Sequence, residues 1–204
     1  MSKLIDFFYD YSSPYGYLGS ERIVDIAARH GRTIRWNPVL LGAIFKVTGS
    51  GPLTEMPMKG EYALHDFKRT AREHDLVYSH PPVFPIATVG AARLTIWVRD
   101  HDDPSVSALT SDLFHALFRA LYVDNRPIND TATVVEIAAE VGLDADTAQA
   151  ALAEASIKEQ LKHDIDSALA RGVFGSPTVD IDGELFWGSD RLEQIDRWLE
   201  RGGW

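Results

Sequence analysis

A chain of 204 residues that is 45% hydrophobic and 25% charged can bury a core of ordinary size, so one globular fold with at most an inserted lobe is expected. Its 20 Lys and Arg stand against 30 Asp and Glu; a formal charge of -10, with no basic run, argues against nucleic acid or an anionic membrane as partner. No stretch approaches the roughly 18 consecutive apolar residues of a membrane span, and residues 1–10 lack the pattern of a secretory leader, so a cytoplasmic location is expected.

In chain order, Leu4–Tyr9 is a short apolar run that suits a buried strand ending in a loop. Ser13-Pro14 then pairs a capping residue with a proline that fits a first helical turn, and Arg29-His30-Gly31 closes the helix. On it, Tyr17, Val24, Ala27 and Ala28 are expected to face inward, with Glu21, Arg22, Asp25 and Arg29 facing water. Residues 33–37 alternate as a second strand, and the resulting β-α-β unit implies a parallel pair with a right-handed crossover. From about 40 to 171 the patterns are helical: residues 105–122 carry one long apolar face, residues 130–141 and 144–152 are shorter helices with acidic starts, and 156–170 is another. Gly49-Ser50-Gly51-Pro52 and the segment from His80 to Pro85 read as connectors bordering a cleft. Strand chemistry returns in Thr178–Ile181 and Glu184–Trp187 around Asp182-Gly183, the residue types of a tight hairpin turn. The last helix, with Leu192, Ile195 and Leu199 as its stripe, begins at Asp190-Arg191-Leu192-Glu193, which has capping-box spacing. The expected fold is therefore α/β: a thioredoxin-like core of β-α-β and β-β-α, formed by residues 1–39 and 172–204, with residues 40–171 inserted as an all-helical domain.

Zero cysteines exclude disulfides, thiolate metal sites and a thiol nucleophile belonging to the chain, and no metal site is expected; any reacting sulfur must arrive on a ligand. The start of the first helix suits such a sulfur, because its unpaired N–H groups and partial positive charge favour an anion and lower thiol pKa values from about 8.5. Ser13 can donate one hydrogen bond there without competing as a nucleophile, although an N-cap alone would also explain it.

Three segments carry a resemblance: Asp10-Tyr11-Ser12-Ser13-Pro14-Tyr15-Gly16-Tyr17-Leu18, Val173-Phe174-Gly175-Ser176-Pro177-Thr178, and Phe186-Trp187-Gly188-Ser189-Asp190-Arg191-Leu192. In this order they resemble the corresponding segments of kappa-class glutathione transferases and 2-hydroxychromene-2-carboxylate isomerases, in the DsbA-like thioredoxin superfamily. The resemblance implies a glutathione thiolate beside Ser13, a cis bond at Ser176-Pro177 whose backbone pairs with the tripeptide, and Ser189 and Asp190 holding its γ-glutamyl end. Pro14, Tyr15 and Ser50 complete the implied glutathione set, with Gly49-Ser50 standing where relatives often carry Gly-Asn and Ala87 where they carry Asn. Lys46, Lys59 and Arg93 are candidates to meet a carboxylate on an aromatic or conjugated substrate. Phe45, Phe84, Trp97 and Trp187 could line an aromatic site, and His80 is a weaker acid–base candidate. The implied activity is isomerisation of 2-hydroxychromene-2-carboxylate in aromatic-compound breakdown, by reversible thiolate addition, bond rotation and elimination, in a homodimer. A kappa-type transferase or peroxidase shares the thiolate site, and a non-catalytic binding protein of the same fold is the further alternative.

Overall fold

The computed structural model describes residues 3–204. Strand β1 (Leu4–Tyr9) leads into helix α1 (Pro14–Arg29) and strand β2 (Thr33–Pro38); strands β3 (Thr178–Ile181) and β4 (Glu184–Trp187) and helix α10 (Leu192–Arg201) close the chain. The sheet order is β2-β1-β3-β4, with β1 parallel to β2 and antiparallel to β3. Phe7 therefore stands between Trp36 on one neighbour and Val179 on the other. A central strand covered on both faces needs apolar side chains at consecutive positions, which is why Phe7, Phe8 and Tyr9 run together and are all buried.

Between β2 and β3 lie helices α2 (Leu41–Thr48), α3 (Lys59–Glu73), α4 (Val89–Arg99), α5 (Pro104–Ser107), α6 (Thr110–Tyr122), α7 (Thr131–Glu140), α8 (Ala145–Ala153) and α9 (Ala155–Ala170). The fold is thus a thioredoxin-like α/β core with a helical insertion. One apolar cluster takes Ile5, Phe7 and Tyr9 from β1 together with Phe114, Phe118 and Val134 from the insertion; a second forms around Phe8 with α2, α4 and α9. The Trp36 and Phe114 rings stack at 3.8 Å between centroids, joining β2 to α6. The parallel strands, the hairpin and the helices over 130–141, 144–152 and 156–170 match the sequence reading to within two residues at each end.

Three local expectations need correction. On α1 Tyr17 and Ala27 are buried as expected, together with Leu18, Ile23 and Ile26, but Val24 is 38% exposed and Ala28 also faces out. The inner face is set by Gly16, Gly19 and Ser20, small residues that let the helix approach the loop before β3: a Cβ on Gly19 would lie 3.3 Å from Pro177 Cγ and 3.5 Å from Ser189 Cβ. The helix expected over 105–122 is broken after Ser107, because hydroxyls bond backbone carbonyls locally: Thr110 Oγ1 donates to Ser107 O at 2.7 Å. The capping box at Asp190 does not form. Ser189–Arg191 is a 3-10 turn, α10 starts only at Leu192, and Glu193 reaches across to pair with Arg22 on α1.

Phe114 makes ring contacts with Phe7, Tyr9, Tyr11, Trp36 and Phe118 and is fully buried. Phe114→Ala should lower unfolding free energy by about 3–5 kcal/mol in urea titration, with the cavity adding to the lost transfer energy.

Candidate active site

Where β1 ends, the chain turns through Ser12 and Ser13 into α1, and the loop before β3 comes up beside it. Ser13 is the N-cap of α1: its Oγ accepts from Gly16 N at 3.0 Å and donates to Ser176 O at 3.0 Å. The Ser176–Pro177 bond is cis, as is Phe84–Pro85, which the sequence did not flag. Gly188 N donates to Pro177 O at 2.9 Å, bringing the 188–190 turn to the same end of the sheet.

These segments form one end of a cleft of about 1080 Å3, more than the ~300–1,000 Å3 usual for one small ligand. Ser13, Pro14, Tyr15, Ser50, Ser176, Ser189 and Asp190 line it, so the structure brings them together; Pro177 is not among the lining residues and lies against Gly19. Of the three candidate cations only Lys59 lines the cleft. Lys46 is exposed on α2, and Arg93 sits on α4 with a buried Nε that has no hydrogen-bond partner among the described residues. Phe45, Phe84 and Trp187 line the cleft, whereas Trp97 donates through Nε1 to Glu154 at 2.9 Å. His80 packs behind the wall between Phe67 and Phe84, its Nδ1 2.8 Å from the Tyr78 hydroxyl, and burial holds its pKa below the usual imidazole value.

The far wall is apolar, with Leu53, Met56, Phe67, Phe84 and Ile86 facing the cleft. Tyr15 links the two walls, donating to Asp66 Oδ2 on α3 at 2.7 Å while its ring meets Phe67 edge-on. Burial and the neighbouring Asp66 carboxylate push the Tyr15 phenol well above its ordinary pKa. Arg22 closes the opposite rim, donating to Ser189 O at 3.3 Å and pairing with Glu193.

Asp10 is the residue that sequence reasoning missed. It is 5% exposed, lines the cleft floor and has its pKa raised by burial, a rise opposed by hydrogen bonds from Thr88 Oγ1, Ser12 N and Leu41 N. Its position at the carboxyl end of a central strand, directly before a Ser-Pro turn, was the available signal, since ligands in open α/β sheets bind beyond that edge.

The DSBA-like thioredoxin domain family matches residues 4–200. The chain belongs to this family. Among DsbA-like relatives, the 2-hydroxychromene-2-carboxylate isomerase of Sphingobium xenophagum is 28% identical over 201 residues, covering 98% of this chain and 99% of the relative. The human glutathione S-transferase kappa 1 is 26% identical over 218 residues, covering 98% and 94% respectively. A solved 2-hydroxychromene-2-carboxylate isomerase superposes with a TM-score of 0.83 at 22% identity, over 97% of this chain and 95% of that one. The segment Ser13-Pro14-Tyr15-Gly16 at the start of α1 carries no sulfur.

Because the folded protein holds the Asp10 proton more tightly than the unfolded chain, this group's contribution to stability falls as pH rises from the ordinary carboxylate range through the raised value. The unfolding free energy of the wild type minus that of Asp10→Asn should accordingly decrease in urea titrations as pH rises above the ordinary carboxylate value of ~4. A difference that stays level or grows with pH would contradict the raised value.

Proposed function

We propose that the cleft holds glutathione between the start of α1 and Ser176, and that the protein is a glutathione-dependent isomerase of the 2-hydroxychromene-2-carboxylate type, a cytoplasmic homodimer serving the breakdown of aromatic compounds. The observation that carries this reading is the meeting of Ser13 and Ser176 at a helix start in a cleft, in a chain without cysteine. The donor set fits the tripeptide: Tyr15 N–H and Ser176 N–H, both on cleft-lining residues, have no hydrogen-bond partner among the described residues. An extended peptide needs such main-chain groups to pair in strand fashion. Asp190, exposed at the rim beside Arg191, supplies a carboxylate for an ammonium group, and Ser189 lies buried next to it.

When bound, glutathione supplies a thiolate that adds reversibly to a conjugated substrate and so frees a double bond to rotate. The chain's own part is binding and charge placement. Ser13 has one hydroxyl proton, given to the Ser176 carbonyl in this structure, so donation towards sulfur requires that proton to turn while Gly16 N–H keeps Oγ in place. The unpaired amide and the dipole of α1 favour the anionic form of the thiol. The apolar wall of Leu53, Met56, Phe67 and Ile86 accepts an aromatic body and excludes water, with Lys59 on the rim to meet a carboxylate. A kappa-type transferase remains the second reading, supported by the 26% identity to the human enzyme, and it would consume glutathione in each turnover.

Calorimetry with glutathione and S-methylglutathione tests the binding, and absence of binding would favour an inert relative of the fold. Hydroxychromene turnover with glutathione far below substrate then separates the enzymes: the isomerase continues past one equivalent of glutathione, and a reaction that stops there rejects it. Ser13→Ala should bind glutathione within a few-fold of wild type, lose about 1 kcal/mol of helix capping, and titrate its bound thiol at higher pH. An unchanged thiol titration would remove Ser13 from the mechanism.

A further inference from the structure

Both serines that frame the sulfur site hang on Asp10. Its main-chain carbonyl accepts from Ser13 N at 3.0 Å, and its N–H donates to Ser176 Oγ at 3.0 Å. Its carboxylate gathers three donors from three other places in the chain: Oδ1 accepts from Thr88 Oγ1 at 2.6 Å, just before α4, and from Ser12 N at 2.9 Å, while Oδ2 accepts from Leu41 N at 2.7 Å, the first residue of α2. A buried carboxylate is expensive unless its oxygens are satisfied, and here each oxygen has at least one donor. Asparagine has one acceptor oxygen, and its amide would aim N–H at either Leu41 N–H or the Thr88 and Ser12 donors.

We propose that Asp10 is a positioning residue for the sulfur site, its carboxylate fastening the starts of α2 and α4 to the Ser12–Ser13 turn so that the Ser13 hydroxyl is held at a set place opposite Ser176. This rests on the glutathione reading above and adds to it a cause for the geometry. The two serines are 163 positions apart, and the Ser13–Ser176 bond alone would leave the turn free to pivot about it. The carboxylate removes that freedom by tying the same turn to two helices of the insertion, which also places the apolar wall behind Phe84 and Ile86 relative to the sulfur. Ile86 N donates to Ser12 Oγ at 3.4 Å, a second tie between that wall and the turn.

Thr88 offers a clean way in, because it is 3% exposed, is not among the cleft-lining residues, and its hydroxyl donates to Asp10 Oδ1. Thr88→Val removes its hydroxyl with little change of volume and leaves the Asp10 residue in place. The experiment is a cycle of Thr88→Val, Ser13→Ala and the double variant, reading the pKa of bound glutathione from thiolate absorbance, beside calorimetric affinities for glutathione and S-methylglutathione. Thr88→Val should raise the bound-thiol pKa by about half a pH unit when Ser13 is present and leave it unchanged in the Ser13→Ala background. Asp10→Asn should weaken both ligands about ten-fold, beyond any effect of Thr88→Val. Equal shifts in both backgrounds, or none, would overturn the role of Asp10 even if Asp10→Asn fails to fold. Failure of the wild type to bind glutathione overturns both this and the reading beneath it, whereas binding without the coupled shift overturns this one alone.

Discussion

The hydroxyl of Ser13 is where the two ends of this fold are fastened together. It caps the first long helix and at the same moment holds the carbonyl of Ser176, a residue from the far end of the chain. The cap steadies the helix start, and the Ser176 contact, together with the bond from Asp10 N to Ser176 Oγ at 3.0 Å, sets the loop before β3 above it. The small residues on α1 serve the same junction. Gly16 leaves only 3.1 Å between a notional Cβ and Ser176 Oγ, so a larger residue would need the Ser13 or Ser176 side chain to give way by a few tenths of an ångström.

The two walls of the cleft differ in mechanical character. The wall that carries Ser13, Ser176 and Ser189 is built on the central sheet and on buried, hydrogen-bonded turns. The other wall is made by α3 and the 3-10 turn Leu53–Glu55, rests on Phe67 and Gly60, and is tied to the first by the Tyr15–Asp66 hydrogen bond. Gly60 is required there, since a Cβ would fall 2.3 Å from Thr54 O. The cleft thus sets a polar, hydrogen-bonded floor beside an apolar wall, the pairing by which a few polar groups orient a ligand and an apolar surface takes up its body.

Much of the fold could be read from the residues because its signals are local. Apolar continuity marked β1, the Asp182-Gly183 turn marked the hairpin, and Ser13-Pro14 and Asp130 marked helix starts that the structure caps with those side chains. What was not legible depends on contacts between distant segments. The inner face of α1 is chosen by glycines that hydrophobicity does not score, and the start of α10 is displaced because the chain must first leave Gly188 at a φ of 110°. The cluster Ser13, Ser176, Ser189 and Asp190 was found through resemblance, not through spacing, since no periodicity links positions so far apart. Asp10 escaped because a lone carboxylate at a strand end looks like a loop residue until Thr88 and Leu41 are seen to converge on it.

On the glutathione reading proposed above, the absence of cysteine from the chain has a consequence for durability. Oxidants and alkylating electrophiles inactivate thiol enzymes by marking a residue that cannot be exchanged. Here a damaged sulfur would belong to a dissociable molecule, and its departure would leave the polypeptide chemically as it was, ready for a fresh one. A catalyst of the proposed kind would lose one molecule of the cell's thiol pool and keep its own polypeptide intact.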